Sequence, residues 1–456
     1  MKLKSINPHN YSAVGEVNIS TEQEIKEAVK KANEAKDYWK ELGVAKRAAL
    51  LRKVVKQFVK RKGELAKLAS KEMGMPISQS RADTDDAIRY FYWYLDNAEK
   101  ILEPEVTFED KDSKHIVYHE PIGVAAVIVP WNFPPSNFVW GAGEALIAGN
   151  TVVFKDSEEV PLFGKLIEEI FTSCHLPDGV FQEVYGDGKV GALLVHQDID
   201  LICFTGSSAV GTKLYKIAAD KFIRVLLEMG GSAPGIVFED ADLDKVLESI
   251  YINRFMNTGQ ACDALKRLIV AESRFDEVVK KLKSYLKIKK IGNPMDPETE
   301  IGPLVAKRQL ELLESQVKDA IDKGAKAVTG GKRPKNLGGA YYEPTILINV
   351  KPNMRVWYEE VFGPLLPVVK FKTEEEAIRL ANDTKYGLGA YVLTEDKKRA
   401  ARVSSQIQSG MVSVNNIGYI KPCNPFGGYK QSGIGREHGK FGFQDVTQVK
   451  LVTSEK

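Results

Sequence analysis

The strongest constraint on the fold is an alternation between short apolar runs and helix-like segments. Strands that alternate with helices predict βαβ units, and continuously apolar strands predict a parallel sheet covered on both faces. The first series comprises VAAVIVP (124–130), NTVVFK (150–155), FQEVYG (181–186) and LICFTG (201–206). The second series comprises APGIVFED (233–240), RLIVAE (267–272), AKAVTG (325–330) and GAYVLTE (389–395).

The two series predict an α/β fold with two α/β domains, each built on a parallel-type sheet, and a boundary near Glu228 to Gly231. Residues 21–74 have helical periodicity and begin with a capping box formed by Thr21 and Glu24. Residues 105–119 have the pattern of two short strands around a polar turn, and the tail TQVKLVTSEK has a strand pattern. A lone polar hairpin is marginally stable, so we expect it to pair with another segment or subunit.

Composition excludes several classes of function. The 456 residues include 64 lysines and arginines against 61 acids, spread along the chain, which is typical of a solvated surface and not of a nucleic-acid-binding protein. The four cysteines form no metal-binding pattern or disulfide framework, so we expect a reducing, cytoplasmic location and no metal. The charged N-terminus lacks the apolar segment of a secretory signal, and no stretch is apolar enough to span a membrane.

Ligands of open parallel sheets bind beyond the carboxyl ends of the strands, and two glycine-rich loops lie at such positions. GDGKVG (186–191) matches the GxGxxG pattern, but no clear acidic residue follows at the end of a later strand. In GSSAVG (206–211), Ser207 can cap a helix and leave N–H groups for an anion, although an ordinary helix cap has the same pattern. The pattern alone favours the two loops equally as the anion-binding site.

Three polar residues have side chains suited to chemistry on a carbonyl group. Cys262, in NTGQACDALKR (257–267), has polar neighbours, unlike Cys203 in LICFTG, and is either a nucleophile or a bystander. Asn132, in VPWNFPP, is either a turn residue or an amide donor to an oxyanion. Glu228 ends an apolar strand, where desolvation raises a carboxyl pKa and suits the group to general-base catalysis. A glutamate satisfied by a buried hydrogen bond is the alternative.

Three further charged residues allow two interpretations each. Lys155 and Glu158, at the end of a strand, are either surface charges or ligands of the ribose hydroxyl groups of adenosine. Glu360, in YEEVFGPLLPV, is either a solvated acid or a sugar ligand. Taken singly, none of these residues assigns a function.

The order and context of the motifs resemble the aldehyde dehydrogenase superfamily along essentially the whole chain. The short N-terminus and the NTGQ segment are most similar to the short succinate-semialdehyde dehydrogenases. The motifs are VPWNFP (129–134), GNTVVFKDSE (149–158), FTGSSAVG (204–211), LEMGGSAPGIVFEDADLD (227–244), NTGQACDALKR (257–267), GNPMDPETEIGPLV (292–305), EEVFGPLLPV (359–368) and NPFGGYKQSGIGRE (424–437).

The resemblance implies a covalent mechanism with NAD or NADP as the cofactor. Cys262 is the expected nucleophile, Glu228 the expected base for the deacylating water, and Asn132 the expected oxyanion donor together with the Cys262 N–H. The resemblance also places the cofactor pyrophosphate near Ser207 and leaves GDGKVG a peripheral role. The expected cofactor-binding residues are Trp131, Lys155, Glu158, Gly206, Ser207, Gly211, the Met229 backbone, Glu360 and Phe362.

The resemblance further implies how the chain divides into domains. Residues 1–104 and 119–228 are expected to form a Rossmann-like cofactor-binding domain, and residues 229–424 the catalytic domain. Residues 105–118 and 440–456 are expected to form a small β flap that joins the subunits of a homodimer or homotetramer.

The sequence departs from the family pattern at positions that bear on specificity. The common Lys-Pro-Ser-Glu motif is KDSE here, with Asp156 in place of proline, while Glu158 is expected to repel a 2′-phosphate and favour NAD. Succinate-semialdehyde dehydrogenases often have arginines where this chain has Met256 and Trp140, so a substrate carboxylate needs another partner. Lys421, on the loop that usually faces the substrate, is the candidate, and a solvated lysine is the alternative.

A small semialdehyde, such as succinate semialdehyde, is the substrate that the resemblance implies. GQACDALK is also similar to archaeal non-phosphorylating glyceraldehyde-3-phosphate dehydrogenases, and a broad-specificity aldehyde dehydrogenase is a further alternative. A coenzyme A-acylating enzyme is disfavoured because such members generally lack a base at the position of Glu228. A non-catalytic scaffold is disfavoured because Asn132, Glu228 and Cys262 are all present.

Overall fold

The computed structural model describes residues 1–456, with eighteen strands and fifteen α-helices. The strands are β1 (Lys2–Ile6), β2 (Ala13–Asn18), β3 (Glu105–Glu109), β4 (Ser113–Pro121), β5 (Val124–Ile128), β6 (Thr151–Lys155), β7 (Phe181–Glu183), β8 (Leu201–Thr205), β9 (Arg224–Glu228), β10 (Ala233–Val237), β11 (Leu265–Ala271), β12 (Lys326–Thr329), β13 (Thr345–Ile348), β14 (Leu365–Phe371), β15 (Gly389–Leu393), β16 (Met411–Val414), β17 (Gly433–Ile434) and β18 (Thr447–Glu455). The helices are α1 (Glu22–Glu41), α2 (Gly43–Met73), α3 (Ile77–Ile101), α4 (Pro134–Phe138), α5 (Glu144–Ala148), α6 (Pro161–Ser173), α7 (Gly188–Val195), α8 (Ser208–Lys221), α9 (Leu243–Phe255), α10 (Phe275–Lys287), α11 (Lys307–Asp322), α12 (Arg355–Tyr358), α13 (Glu374–Asn382), α14 (Lys397–Gln406) and α15 (Gly439–Asp445). None of these helices combines the length and the apolar character needed to cross a membrane.

The first series of apolar runs supplies four strands, β5 to β8, of a six-stranded sheet with the order β17-β9-β8-β5-β6-β7. All neighbouring strands are parallel except β17, which returns from late in the chain and pairs antiparallel with β9. Alternate residues of β5 enter two different cores: Ala125 and Val127 pack on one side, and Val124, Ala126 and Ile128 on the other. This two-sided burial explains the continuous apolar run, because helices cover both faces of the sheet.

The second series contributes to a seven-stranded sheet with the order β12-β13-β14-β11-β10-β15-β16. The predicted α/β fold with two α/β domains is therefore confirmed. The sequence prediction missed β13, β14 and β16, which are short or contain a residue that is rare in central strands, as β14 does with Pro367. AKAVTG forms the edge strand β12, which runs antiparallel to β13 and so lies outside the parallel series.

A third sheet is three-stranded and antiparallel, with the order β18-β4-β3. The predicted hairpin of β3 and β4 is confirmed, and β18 pairs with β4 along its length. Two predicted limits are wrong: β4 continues to Pro121, and residues 439–445 form helix α15 before the last strand begins at Thr447. Val449 and Leu451 of β18 are 66% and 57% exposed, so this strand presents an apolar surface.

Helices α1 to α3 supply much of the first core. The predicted capping box opens α1: the Thr21 side chain accepts the Glu24 N–H, and the Glu24 carboxylate accepts the Thr21 N–H at 2.7 Å. Trp39, near the end of α1, is fully buried and donates its Nε1–H to the Leu146 carbonyl at 2.9 Å. This contact fixes the N-terminal helices to α5 and so to the loops that follow β5.

Candidate active site

The residues predicted for the site lie in loops that meet between the two large sheets. Trp131 and Asn132 follow β5, Lys155 ends β6, Gly206 and Ser207 follow β8, Glu228 ends β9, and Cys262 precedes β11. The loops touch directly, because the Asn132 side chain donates an Nδ2–H to the Gln260 carbonyl at 3.1 Å. Gly231 lies so close to the Cys262 carbonyl oxygen that a Cβ there would be 2.5 Å from it.

The NTGQ segment before the cysteine has an unusual backbone. Asn257, Thr258 and Gly259 are consecutive left-handed residues, with φ values of 49°, 56° and 76°. The side chains of Asn257 and Thr258 are buried and hydrogen-bonded. Asn257 Nδ2 donates to the Asn132 carbonyl at 2.7 Å, and Thr258 Oγ1 donates to the Gly302 carbonyl at 3.1 Å. Left-handed residues other than glycine are costly and persist where their surroundings hold them. The polar character of the segment therefore serves to fix a strained loop.

Asn132 is 5% exposed and is held on three sides. Its Nδ2 donates to the Gln260 carbonyl at 3.1 Å, its Oδ1 accepts from Asn137 Nδ2 at 3.1 Å, and its own carbonyl accepts from Asn257. An amide nitrogen has two N–H groups, so one remains after the bond to Gln260. The geometry suits a fixed donor better than a turn residue at the surface.

Glu228 is 2% exposed, and neither of its carboxyl oxygens has a hydrogen-bond partner. Burial raises the pKa of this group well above its usual value, the nearby Glu437 raises it further, and Arg436 opposes them. The backbone of Glu228 is fixed by pairing with Thr205 of β8 and Gly433 of β17. A raised pKa makes the carboxylate a stronger base once it has lost its proton. The alternative of a glutamate satisfied by a buried hydrogen bond does not describe this side chain.

Cys262 differs from the other cysteines in its surroundings. It is partly exposed and packs against a small apolar cluster that includes Phe426 and the half-buried Trp140, whereas Cys203 is buried in β8 and Cys423 is exposed. The backbone N–H of Cys262 makes no hydrogen bond within the protein. A thiol at the edge of a cleft, with a free N–H beside it, is suited to react with a carbonyl group and hold the resulting oxyanion.

The charges around Cys262 act in opposite directions. Burial raises the pKa of its thiol well above the usual value, and the carboxylates of Asp263, Glu360 and Glu228 raise it further. The Lys266 ammonium lowers it. The Glu228 carboxyl group lies near the apolar cluster beside Cys262, because a Cβ on Gly427, next to Phe426, would be 2.7 Å from its Oε1.

The N-terminus of α8 lies beside the end of β9. Ser207 caps the helix, and its Oγ accepts the Val210 N–H at 3.4 Å. The Gly206 N–H donates to the Glu228 carbonyl at 2.9 Å. Gly211 packs so closely against Met229 that a Cβ there would collide with its sulfur. The first turn of α8 thus offers N–H groups to an anion next to the Glu228 loop.

The competing glycine-rich loop, GDGKVG, also begins a helix. Asp187 caps α7 by accepting the Lys189 N–H at 2.9 Å. Gly191, in the first turn, lies against the aliphatic part of Lys155, where a Cβ would be 3.6 Å from Cδ. This loop therefore lies next to the Lys155 side chain.

The KDSE segment is mostly buried. Lys155 is 3% exposed, its Nζ donates to the Asp156 carbonyl at 3.0 Å, and burial lowers its pKa. Asp156 is also buried, which raises its pKa well above the usual value, and its Oδ2 has no partner. Glu158 is half-exposed, and its carboxylate lies 3.8 Å from the Arg308 guanidinium of α11.

Side chains of the second domain complete the cleft. Phe362 meets Trp131 edge to face, with the ring centroids 5.6 Å apart. The Oε1 atom of Glu360 accepts the Gly231 N–H at 3.0 Å and also an N–H of Lys266. Lys266 was not predicted from the sequence, although a cation in the apolar run LKRLIVA directly after the cysteine loop was a usable signal.

The cleft has the groups that a dinucleotide needs. It combines a helix N-terminus for phosphates, the Lys155 and Glu158 side chains for hydroxyl groups, and the free Oε2 of Glu360 on the far side. The close contact of Gly211 with Met229 leaves no space for a side chain over the first turn of α8. The residues present therefore fit a nicotinamide dinucleotide.

The residues considered for substrate recognition differ in their exposure. Trp140 is half-buried, and its Nε1 has no partner, while Met256 is 40% exposed. Lys421 is exposed and lies near Asp86 of α3, where its charge lowers the pKa of the Asp86 carboxyl group against the larger effect of burial.

Comparisons with known proteins agree with the fold. The sequence profile described as "Aldehyde dehydrogenase family" matches residues 1–452. The chain is 37% identical over 452 residues to the glutarate-semialdehyde dehydrogenase of Pseudomonas aeruginosa, covering 99% of this chain and 93% of that protein. It is 40% identical over 467 residues to the peroxisomal aminoaldehyde dehydrogenase 2 of Pisum sativum, covering 99% of this chain and 92% of that protein.

Two further proteins extend this similarity. The NADP-dependent succinate-semialdehyde dehydrogenase of Escherichia coli is 36% identical over 448 residues, covering 98% of this chain and 93% of that protein. The crystal structure of Staphylococcus aureus betaine aldehyde dehydrogenase with NAD+ superposes with a TM-score of 0.96 at 33% identity, covering 100% of this chain and 91% of the other. The chain therefore belongs to the aldehyde dehydrogenase family and is an NAD(P)-dependent aldehyde oxidoreductase.

Proposed function

We propose that Cys262 is the nucleophile in the oxidation of a small aldehyde to its carboxylic acid, with Glu228 and Asn132 as its partners. One observation carries the proposal: the loops of all three residues meet in one cleft. Asn132 bonds to the Gln260 carbonyl, two residues before the cysteine, and the Glu228 carboxylate shifts the pKa of the Cys262 thiol. No local sequence pattern brings together residues this far apart in the chain.

The first step is the addition of the Cys262 thiolate to the aldehyde carbonyl, which forms a thiohemiacetal alkoxide. The negative oxygen requires donors that are already in place, because such donors need no reorganisation during the reaction. The free N–H of Cys262 and the second N–H of Asn132 Nδ2 supply them. Losing one such donor typically costs about a hundredfold to a thousandfold in rate.

Loss of a hydride from the thiohemiacetal carbon leaves a thioester, and a bound nicotinamide dinucleotide would supply the hydride acceptor. The residues proposed to hold it are Ser207 with the first turn of α8, Lys155, Glu158 and Glu360. Trp131 and Phe362 pack edge to face beside these groups. NAD is the preferred form in this proposal, because the Glu158 carboxylate repels a 2′-phosphate.

The thioester is then hydrolysed, and this step needs a base for the attacking water. Glu228 is the proposed base because its carboxyl group is buried, unpaired and of raised pKa. It takes a proton from the water as the oxygen attacks the thioester carbon, and the Cys262 sulfur leaves as the thiolate. This step distinguishes the proposed enzyme from one that passes the acyl group to coenzyme A.

A semialdehyde with a distal carboxylate is the proposed substrate class. Lys421, exposed on the segment that follows β16, is the proposed partner of that carboxylate. A cationic aminoaldehyde is the second candidate, since two acids lie near the cleft: Asp86 of α3 and Asp263, whose carboxylate accepts from the Tyr419 hydroxyl at 3.1 Å. The relatives at 36–40% identity include enzymes named for both classes.

A homodimer or homotetramer is also part of the proposal. The β18 strand lies at the edge of its sheet and exposes the apolar side chains of Val449 and Leu451. Exposed edge strands are templates for pairing with another chain. Residues 105–118 would lie beside that edge, in the hairpin that pairs with β18.

The proposal is tested by comparing two cysteine variants with the wild type. Cys262→Ala is expected to abolish aldehyde oxidation and retain binding of the reduced cofactor, measured by its fluorescence. Cys423→Ala is the control, because Cys423 is an exposed free thiol and its loss should leave turnover intact. Succinate and glutarate semialdehydes, a 4-aminoaldehyde and glyceraldehyde 3-phosphate, each with NAD and with NADP, then rank the substrate classes. Normal turnover by Cys262→Ala would refute the assignment of Cys262 as the nucleophile.

A further inference from the structure

Lys266 is a buried cation that the proposed mechanism leaves unused. It is the second residue of β11, and its side chain is 1% exposed. Burying a charged ammonium is costly unless the charge is paired and its N–H groups are bonded. A neutral apolar residue would fit the surrounding run of β11 at lower cost, so the partners of this side chain indicate what it does.

The three N–H groups of the Lys266 ammonium have three acceptors. Nζ donates to the Gly231 carbonyl at 2.9 Å, to the Cys262 carbonyl at 2.9 Å and to the Oε1 atom of Glu360. Three acceptors require three N–H donors, and only the protonated amine has them. Burial lowers the pKa of Lys266, and the Glu360 carboxylate opposes that shift, which supports the charged form.

These partners belong to three separate loops of the cleft. Gly231 lies three residues after the proposed base, Cys262 is the proposed nucleophile, and Glu360 borders the cofactor cleft. The loops approach too closely for larger side chains, since a Cβ on Gly230 would collide with the Glu360 carboxylate. A single ammonium therefore connects the segments that carry the base, the thiol and a cofactor ligand.

We propose that Lys266 is a positioning residue that fixes the Cys262 peptide and the Glu360 carboxylate and stabilises the Cys262 thiolate by its charge. The proposal rests on the proposed function of Cys262 and deepens it. Two bonds to the Oε1 atom of Glu360, from Lys266 and from the Gly231 N–H, leave its Oε2 free to accept from a ribose hydroxyl group. The Phe362 ring closes the site, with the ammonium 5.1 Å from its centroid.

The electrostatic part of the proposal follows from the groups that face the thiol. Asp263, Glu360 and Glu228 disfavour the thiolate, and Lys266 is the cation that opposes them. Lys266 is itself faced by Glu360, the thiol and the buried Arg254, whose guanidinium is engaged by the carbonyls of the 361–365 segment. Removing the ammonium should therefore leave the thiol among carboxylates alone.

The test follows the reactivity of Cys262 and the binding of the cofactor separately. Iodoacetamide alkylates thiolates, and mass spectrometry assigns the modified cysteine, so the pH dependence of the rate at Cys262 is measured without turnover. In Lys266→Met the midpoint of this profile should move up by about one pH unit or more, which is about tenfold slower alkylation at neutral pH. The KM for the cofactor should rise about tenfold. Lys266→Arg, which keeps the charge, should restore most of the alkylation rate and less of the KM.

Lys289→Met is the matched control, because Lys289 is also largely buried and paired with a glutamate, Glu300, at 2.7 Å. It should change neither the alkylation profile nor the KM. A folded Lys266→Met with a wild-type profile and KM overturns the proposal, as does an equal shift in the control. If Lys266→Met does not fold, Lys266→Gln decides by the same criteria. A failure of Cys262→Ala to lose activity would instead reject the proposed function, so the two failures are distinguishable.

Discussion

Replacing Glu228 by glutamine should separate the two halves of the reaction. Glu228 is 2% exposed and its carboxyl group accepts no hydrogen bond, so the isosteric amide removes the base without breaking a bond of the fold. Acylation of Cys262 does not need this base, and each subunit should therefore produce about one reduced cofactor in a rapid burst. Steady-state turnover should fall by about a hundredfold to ten thousandfold, the contribution typical of general-base catalysis. That loss corresponds to about 3–5 kcal/mol of barrier height.

Stopped-flow absorbance of the reduced nicotinamide measures both phases. Mass spectrometry should detect the acyl group on Cys262 after the burst, and hydroxylamine, which cleaves thioesters without a protein base, should restore turnover. Glu72→Gln is a matched control, because Glu72 is fully buried in α2, outside the proposed catalytic residues, and should keep the wild-type ratio of burst to steady state. Unchanged steady-state turnover in Glu228→Gln, or the loss of the burst, would refute the assignment of Glu228 as the base.

Four other perturbations have defined outcomes. Asn132→Ala should lower kcat/KM by about a hundredfold to a thousandfold in steady-state assays, because one oxyanion donor is lost; a smaller effect than tenfold would contradict that role. Gly259→Ala should lower both the midpoint of urea unfolding and kcat, because φ is 76° there and a Cβ would collide with the Gly363 carbonyl; a wild-type midpoint would show that the loop adapts. Glu158→Ser should raise the kcat/KM ratio of NADP to NAD by about tenfold, since it removes the charge opposed to a 2′-phosphate; an unchanged ratio would exclude Glu158 as the selector. Burial raises the pKa of Glu72 to about 8, so its protonated form stabilises the fold at low pH and this stabilisation is lost as the pH rises through about 8. Glu72→Gln cannot ionise, so its unfolding free energy should stay level between about pH 5 and 8 while that of the wild type falls by on the order of a few kcal/mol in a pH series of urea titrations, although the amide keeps only one of the two acceptors for the Leu162 and Phe163 N–H groups.

The comparison of sequence with structure shows which signals were local. The capping box of Thr21 and Glu24 and the cap at Ser207 were predictable because each is made by residues three positions apart. The strands of the first sheet were predictable because two-sided burial requires an unbroken apolar run. β14 was missed because Pro367 argues against a central strand, yet that strand is paired on both sides.

The sequence by itself determined the two α/β series, their order, the hairpin that begins at Glu105 and the family motifs that single out Cys262. Only the tertiary structure decided the environment of each reactive group. It placed Glu228 without a hydrogen-bond partner, and it brought Lys266 to Glu360, a residue 94 positions away. The physical reason is that periodicity and caps are set by neighbours in the chain. Burial, charge pairing and pKa depend instead on how loops from two sheets pack against each other.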